Sequence, residues 1–288
     1  MSNHTINWHS ALISGLKIEL SDYHAALSYQ TEFSLNTGPR RIDCLIQRSD
    51  TTPIDTPLAA IFRQYNIIDY KGPSESSNIT NFYKVLSYAY SLPDFFNDNS
   101  VLDQITLTFI THKFPYQLIR HLKKLISKQI TSKRENCPEK LLEKVCPGLY
   151  HMNIYNLPMQ LIILPQLSPK QYLWLHCLTN HITSDFPIRE LGKAYASHKN
   201  DPEYQNFMNT FIRANLMKKG CRSIMCEALY ELFADELIAR EQNGIGQGMN
   251  QFAALVRTLI SEKRDADVQK AACDPAYRDA LLQHYKLQ

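Results

Sequence analysis

Apolar residues recur at every fourth position, Trp8, Leu12, Leu16 and Leu20, a stripe that predicts a helix over 8–20. Glu19 follows Leu16 by three and Leu12 by seven, so it projects near that stripe. A carboxylate near a buried face needs a partner or a task. The pattern then changes. Residues 28–35 and 40–48 read as strands, separated by the turn signature Asn36-Thr37-Gly38-Pro39. A third strand is expected at 65–71, stopped by Gly72-Pro73. After the polar Ser74-Glu75-Ser76-Ser77, a helix is expected over 79–90. Ile79, Phe82, Tyr83, Leu86 and Tyr90 have its spacing, Asn78 would cap it, and Ser91-Leu92-Pro93 would end it. The β-branched and aromatic run 104–111 predicts a fourth strand. Pro115 opens a helix to about 130, and strands follow at 148–155 and 158–164, broken at Asn156-Leu157-Pro158.

From 168 onward the pattern is helical, with helices expected at 169–181, 187–196, 202–217, 222–243, 247–263 and 275–286. The expected fold class is therefore α/β (an α+β mixed sheet with helices on its faces) over 1–166, followed by a helical C-terminal region, 167–288.

Composition narrows this little. The 288 residues are 44% hydrophobic, enough for a sizeable core. No apolar run approaches the roughly 18 residues that span a bilayer. Met1-Ser2-Asn3-His4-Thr5 does not open a secretion signal. Seven scattered cysteines read as reduced thiols, so a cytoplasmic location and no membrane partner are expected. A net charge of +3 does not by itself specify a polyanionic partner, so the distribution of charge carries the argument.

Charge sits where buried strands should have none: Asp43 within Arg41-Ile42-Asp43-Cys44-Leu45-Ile46, and Asp69 and Lys71 within Asn66-Ile67-Ile68-Asp69-Tyr70-Lys71. Asp69 and Lys71 are two apart and share a face of their strand, and Asp43 can lie opposite. Two carboxylates supply hard oxygen ligands to a divalent cation, and the Tyr70 carbonyl can add one more. Such a metal acidifies bound water and polarises a phosphodiester. Lys71 would orient the attacking water and offset charge growing on phosphorus.

Asp43 followed by Asp69-Tyr70-Lys71 resembles the signature of the PD-(D/E)XK nuclease superfamily, and the αβββαβ order through 111 is similar to its restriction-endonuclease-like core. Asn7-Trp8-His9-Ser10, Arg41-Ile42-Asp43, Ile61-Phe62-Arg63, Asn66-Ile67-Ile68-Asp69-Tyr70-Lys71 and Phe82-Tyr83-Lys84-Val85-Leu86 resemble a bacterial subgroup of transposase-like, recombination-promoting nucleases. The likeness covers most of 6–180. It implies an Mg²⁺-dependent (or Mn²⁺-dependent) DNA endonuclease with Asp43, Asp69 and Lys71 at its centre, acting in recombination or mobile-element movement. It also implies a metal-supporting Glu on the first helix, which Glu19 matches by position; Glu32 is a weaker rival. Two positions depart from the pattern: Ile42 stands in place of Pro, and Asp69 in place of the subgroup's commoner Glu. The shorter Asp69 shifts the metal by about one C–C bond.

Contacts to double-stranded DNA are expected from Lys84 and Tyr88, four apart on one helical face, where some superfamily nucleases carry Gln and Tyr. Segment 113–134 holds Lys113, Arg120, Lys123, Lys124, Lys128, Lys133 and Arg134 without one acid. Arg120, Lys124 and Lys128 form a stripe opposite Leu118, Leu122, Leu125 and Ile126, a surface that can neutralise phosphates. Arg40, Arg41, Arg48 and Arg63 add positive charge around the strands. Cys221 with Cys226, and His176 with His181, lack metal-site spacing, and Cys177 reads as core. Gly244-Ile245-Gly246-Gln247-Gly248 follows no strand and so lacks the context of a dinucleotide loop. The alternatives to a nuclease are a DNA-binding protein with little catalysis and an interaction module whose helical tail does the work. That tail would also serve self-association into a homo-oligomer.

Overall fold

The computed structural model describes residues 6–35, 41–132, 141–180, 182, 185–215, 251–262, 264, 267–268, 270–271, 274–285 and 287. It divides into two compact units, Met1–Ala228 and Leu229–Gln288.

The first unit is mixed α/β, built on one seven-stranded sheet. Its elements in chain order are α1 (Trp8–Glu19), β1 (Leu27–Ser34), β2 (Arg41–Arg48), β3 (Tyr65–Tyr70), α2 (Ile79–Phe96), β4 (Ile105–Thr111) and α3 (Tyr116–Ser132). There follow β5 (Glu143–Cys146), β6 (Leu149–Ile154), β7 (Leu157–Ile163), α4 (Leu173–Cys177), α5 (Asp185–Ala196) and α6 (Pro202–Asn215). The sheet order is β1-β2-β3-β4-β7-β6-β5. Strands β3, β4 and β7 are parallel, and the outer strands on each side pair antiparallel. The parallel centre is buried on both faces, so β4 shows no polar alternation in its burial.

Helices α2 and α3 cover one face. Leu45, Ile67, Leu107, Phe109 and Leu161 meet Phe82, Val85, Leu118 and Leu122 in one core. The other face carries the even-numbered residues of β3 and a buried polar network. Thr106 donates to Asn66 Oδ1 (2.5 Å), Asn66 donates to the carbonyls of Ile46 and Arg63, and Gln160 donates to Thr108 and to the Leu58 carbonyl. These bonds tie the 57–63 loop onto the sheet, at net values of about 1 kcal/mol each. Helix α1 lies on this side, with Lys17 5.8 Å from the Tyr29 ring centroid and His9 5.3 Å from that of Tyr70. Its outer side holds α6: Glu203 accepts from Ser14 and pairs with Lys17, and Asn206 donates to Ser10 and Ser14. The first compact unit therefore continues past 166 and includes α4–α6.

Three elements differ from the sequence expectation. Helix α2 does not end at Ser91-Leu92-Pro93 but runs to Phe96. Leu92 is fully buried and Phe96 packs on Tyr65 at 4.7 Å, while Asn97 closes the helix in the left-handed conformation (φ 52°). Apolar burial there outweighs the single N–H that Pro93 lacks. Helix α4 is only Leu173–Cys177, because turns at Ser168–Tyr172 and Leu175–Leu178 flank it. Strand β5 was not expected, since Glu143 and Lys144 break any apolar pattern at this exposed sheet edge. Residues 36–40 and 222–243 lie outside the described residues.

Gly148 turns β5 into β6 with φ +78°. A Cβ there would meet backbone of Ile163, Gln166 and Leu167 at 2.7–2.8 Å. Gly148→Ala is expected to cost about 2 kcal/mol, because strain at positive φ adds to a clash that no side chain can relieve. Urea unfolding followed by tryptophan fluorescence checks this; an unchanged midpoint would refute it.

In the second unit, Leu255, Leu259, Ala271, Leu281 and Leu282 form a small core between a helix over 251–261 and the helix Pro275–His284. Arg264 bonds Asp267 (2.6 Å) and the Tyr285 hydroxyl (2.7 Å), and Tyr277 donates to Asp267. Among the described residues, no helix is long and apolar enough to cross a membrane.

Candidate active site

Strands β2 and β3 pair only as far as Cys44↔Ile68, and the next position on each is Asp43 and Asp69. There the strands part. Asp43 Oδ2 accepts from the Tyr70 amide at 2.9 Å and caps an N–H that faces no strand carbonyl. Asp43 thus holds the mouth of the split in place while presenting charge to it.

Lys71 Nζ donates to Asp69 Oδ1 at 2.9 Å and to the Tyr70 carbonyl at 3.2 Å. The pair is mostly shielded, with 15% and 13% of the two side chains exposed. The second oxygen of Asp69, Oδ2, is buried without a hydrogen-bond partner. Burial pushes the Asp69 carboxyl above its ordinary value, an effect that Lys71 only partly offsets and that Asp43 adds to. Burial acts on Asp43 in the same sense. There the His9 contact, the Tyr70 amide and Lys71 prevail, and its carboxyl lies below the ordinary value.

One cleft is lined by Arg41, Asp43, Asp69, Lys71, Lys84 and Tyr88. All six were singled out from sequence, five of them as site residues and Arg41 as added positive charge, and they converge. Lys84 Nζ lies 5.7 Å from the Tyr88 ring centroid. Tyr88 first, and then Asp69 and Asp43, hold its ammonium above the ordinary value against a small desolvation cost.

Glu19 is not among them. Its Oε1 accepts from the amides of Trp174 (2.7 Å) and Leu175 (3.3 Å) and so caps α4. The C-terminal end of α1 meets α4, and only its N-terminal end reaches the cleft. Burial pushes the Glu19 carboxyl up to about 7 despite those two donors. Glu32 is left-handed (φ 51°) and pairs with Arg41 at 3.7 Å on the surface. Arg120 and Lys124 stand exposed on α3 and do not line the cleft. The side chain of Lys128 lies outside the described residues, as do Arg40, Cys221, Cys226, His181 and 244–248. Arg48 and Arg63 do not meet the cleft either. They bond the carbonyls of Phe62, Thr52 and Asp103 at the opposite end of β2 and β3, with Arg48 roughly 17 Å from Asp43 along the strand. Cys177 is core, and His176 is tied to the Leu167 carbonyl at 2.7 Å.

The structure adds two histidines. His9, in the first turn of α1, places Nε2 3.5 Å from Asp43 Oδ2. That hydrogen bond raises its pKa against the cost of burial. His112, just past β4, meets the Tyr70 hydroxyl at 3.1 Å, and burial lowers its pKa to about 4, so it is neutral near pH 7. His9 stood in the Trp8-His9 motif without an assignable role; nothing in sequence marked His112.

No cluster of three or more His, Cys, Asp or Glu able to hold a metal is present among the described residues. Two carboxylates, one with a buried unpartnered oxygen, match the sparser set that Mg²⁺ takes while keeping several waters. No family model matches the chain, and neither a curated protein nor a solved structure matches it significantly.

Proposed function

We propose that this chain is a metal-dependent endodeoxyribonuclease of the PD-(D/E)XK type, with a restriction-endonuclease-like core formed by α1-β1-β2-β3-α2-β4. The observation that carries the reading is the convergence of Asp43, Asp69 and Lys71 where β2 and β3 part, with Asp69 Oδ2 buried and unpartnered. Asp43 and Asp69 would hold Mg²⁺ or Mn²⁺, which supplies Lewis acidity at the scissile phosphate. Lys71 is fixed beside Asp69 to orient the attacking water and to offset charge developing on phosphorus. Lys84 and Arg41 bring further cations to the cleft, and Arg120 and Lys124 would hold the DNA backbone. The setting implied by the motif resemblance is recombination or mobile-element movement.

Supercoiled plasmid incubated with the purified chain and Mg²⁺ or Mn²⁺ is expected to become nicked, and EDTA is expected to prevent this. A second reading, DNA binding with little catalysis, is favoured by the raised pKa of Asp69, which opposes its ionisation as a ligand. Absence of nicking in both metals, with DNA binding intact, would select that reading.

A further inference from the structure

Beside the cleft, α2 and α3 carry aromatic residues that the catalytic reading does not use. Tyr83 precedes Lys84 on α2, and its hydroxyl lies 3.0 Å from His121 Nε2 on α3. The two rings meet edge to face at 5.8 Å. Tyr155, in the β6–β7 turn, lies near enough to act electrostatically on the Tyr83 hydroxyl and brings a third ring to this surface. Tyr83 is 37% exposed and Tyr155 41%, so both rings are open to a ligand.

The turn makes that exposure costly. Tyr155 and Asn156 both have positive φ, 56° and 62°. Asn tolerates this conformation, but a bulky aromatic is an outlier there. Gly or Asn would fit the turn at no cost. The turn instead holds an exposed tyrosine in a strained backbone.

Charge identifies what the rings face. Segments 76–93, 104–134 and 144–184 contain no Asp or Glu, and they supply α2 as far as Pro93, α3 and the β6–β7 hairpin; Asp94 lies in the last turn of α2, away from Tyr83. Lys84 follows Tyr83 on α2, Arg120 precedes His121 on α3 and Lys124 is three residues further on, and all three are exposed. Exposed aromatic faces interleaved with cations match a polyanion with free π-faces, namely an unpaired nucleic-acid strand. A continuous duplex offers phosphates and groove edges, but its base faces are already stacked.

We propose that Tyr83, Tyr155 and His121 form a stacking platform for the bases of single-stranded DNA. The proposed nuclease then acts on substrates with unpaired strands next to the scissile bond, such as flaps, gaps or opened ends. This deepens the nuclease reading and rests on it for the cleavage step only; the binding surface is independent of the metal.

The test is equilibrium binding by fluorescence anisotropy in EDTA, with one labelled oligonucleotide single-stranded and the same oligonucleotide in duplex. The wild-type chain is compared with Tyr155→Gly, Tyr83→Ala and Tyr83→Phe. Gly suits the positive φ at 155, so Tyr155→Gly removes the ring without harming the fold. Single strand is expected to bind more tightly than duplex. Tyr155→Gly and Tyr83→Ala are each expected to weaken single-strand binding about tenfold, while duplex binding holds and Tyr83→Phe keeps wild-type affinity. A 2-aminopurine base in the strand is expected to be quenched by the wild-type chain and less so by Tyr155→Gly. Equal losses for single strand and duplex, single-strand affinity untouched by both ring deletions, or no single-strand binding at all would each overturn the proposal. Metal-dependent cleavage without a single-strand preference removes this inference alone. A single-strand preference without cleavage removes the nuclease reading alone.

Discussion

Asp43→Asn, Asp69→Asn and Lys71→Met are each expected to lower metal-dependent plasmid nicking about a hundred- to a thousandfold, the range for deleting one charged contact to a transition state. The three act differently. Asn at 43 can still accept from the Tyr70 amide through Oδ1, so the mouth of the β2–β3 split keeps its shape while its charge is lost. Asn at 69 replaces one carboxylate oxygen by an amide nitrogen and removes the charge, and with it one of the two proposed ligands for the cation. Met at 71 keeps much of the side chain's bulk but removes the donor to Asp69 Oδ1 and to the Tyr70 carbonyl. Each initial rate is measured at saturating Mg²⁺ beside a thermal melt with and without metal. Mg²⁺ is expected to raise the melting temperature of the wild-type chain and not that of Asp43→Asn, because only a ligand bound to the folded state stabilises it. Variants that keep more than about a tenth of the rate would sink the assignment of these residues.

The same residues show what was legible in sequence. Asp69 and Lys71 were readable because a strand's period of two puts them on one face, and charge in a buried apolar run is conspicuous. Asp43 was readable because its strand is next in the chain and pairs antiparallel. Six of the seven strands followed from clear strand and turn signals; β5 did not, because its charged residues suit an edge and mimic a loop, and the order of the strands in the sheet was not read from sequence. The extension of α2 past Pro93 depends on Tyr65 and Phe33 receiving Phe96 and Phe95, contacts that no local pattern encodes. Glu19 was legible in part: periodicity put it near the buried stripe of α1, where a carboxylate needs a partner, but the metal role came from the family resemblance, and its partners are the amides of Trp174 and Leu175, more than 150 positions away. The aromatic platform was hidden too, because Tyr83, His121 and Tyr155 come together only in the tertiary fold.

Glu19 carries the second large expected effect, on stability instead of activity. In the folded chain its carboxyl titrates near 7, against 4.5 when unperturbed, with burial as the main cause. Below pH 4.5 it is protonated in both states and costs nothing. Between 4.5 and 7 the unfolded chain has released the proton and the folded chain keeps it, so stability falls as pH rises. Above 7 the folded state carries the whole cost, up to about 3 kcal/mol. Glu19→Gln removes the titration, and its Oε1 can still accept from the two α4 amides. The variant is therefore expected to be more stable than wild type at pH 8 and close to it at pH 5. Urea unfolding at both pH values measures this. Tryptophan emission isolates the first unit, since the two tryptophans, Trp8 and Trp174, both lie there and Trp174 donates to Glu19 itself. Parallel pH profiles for the two chains would show that Glu19 does not ionise as its burial dictates. Nicking activity is expected to be unchanged by Glu19→Gln, because the carboxylate caps α4 and does not line the cleft of Asp43 and Asp69. A loss of activity to match Asp43→Asn would return Glu19 to the metal site.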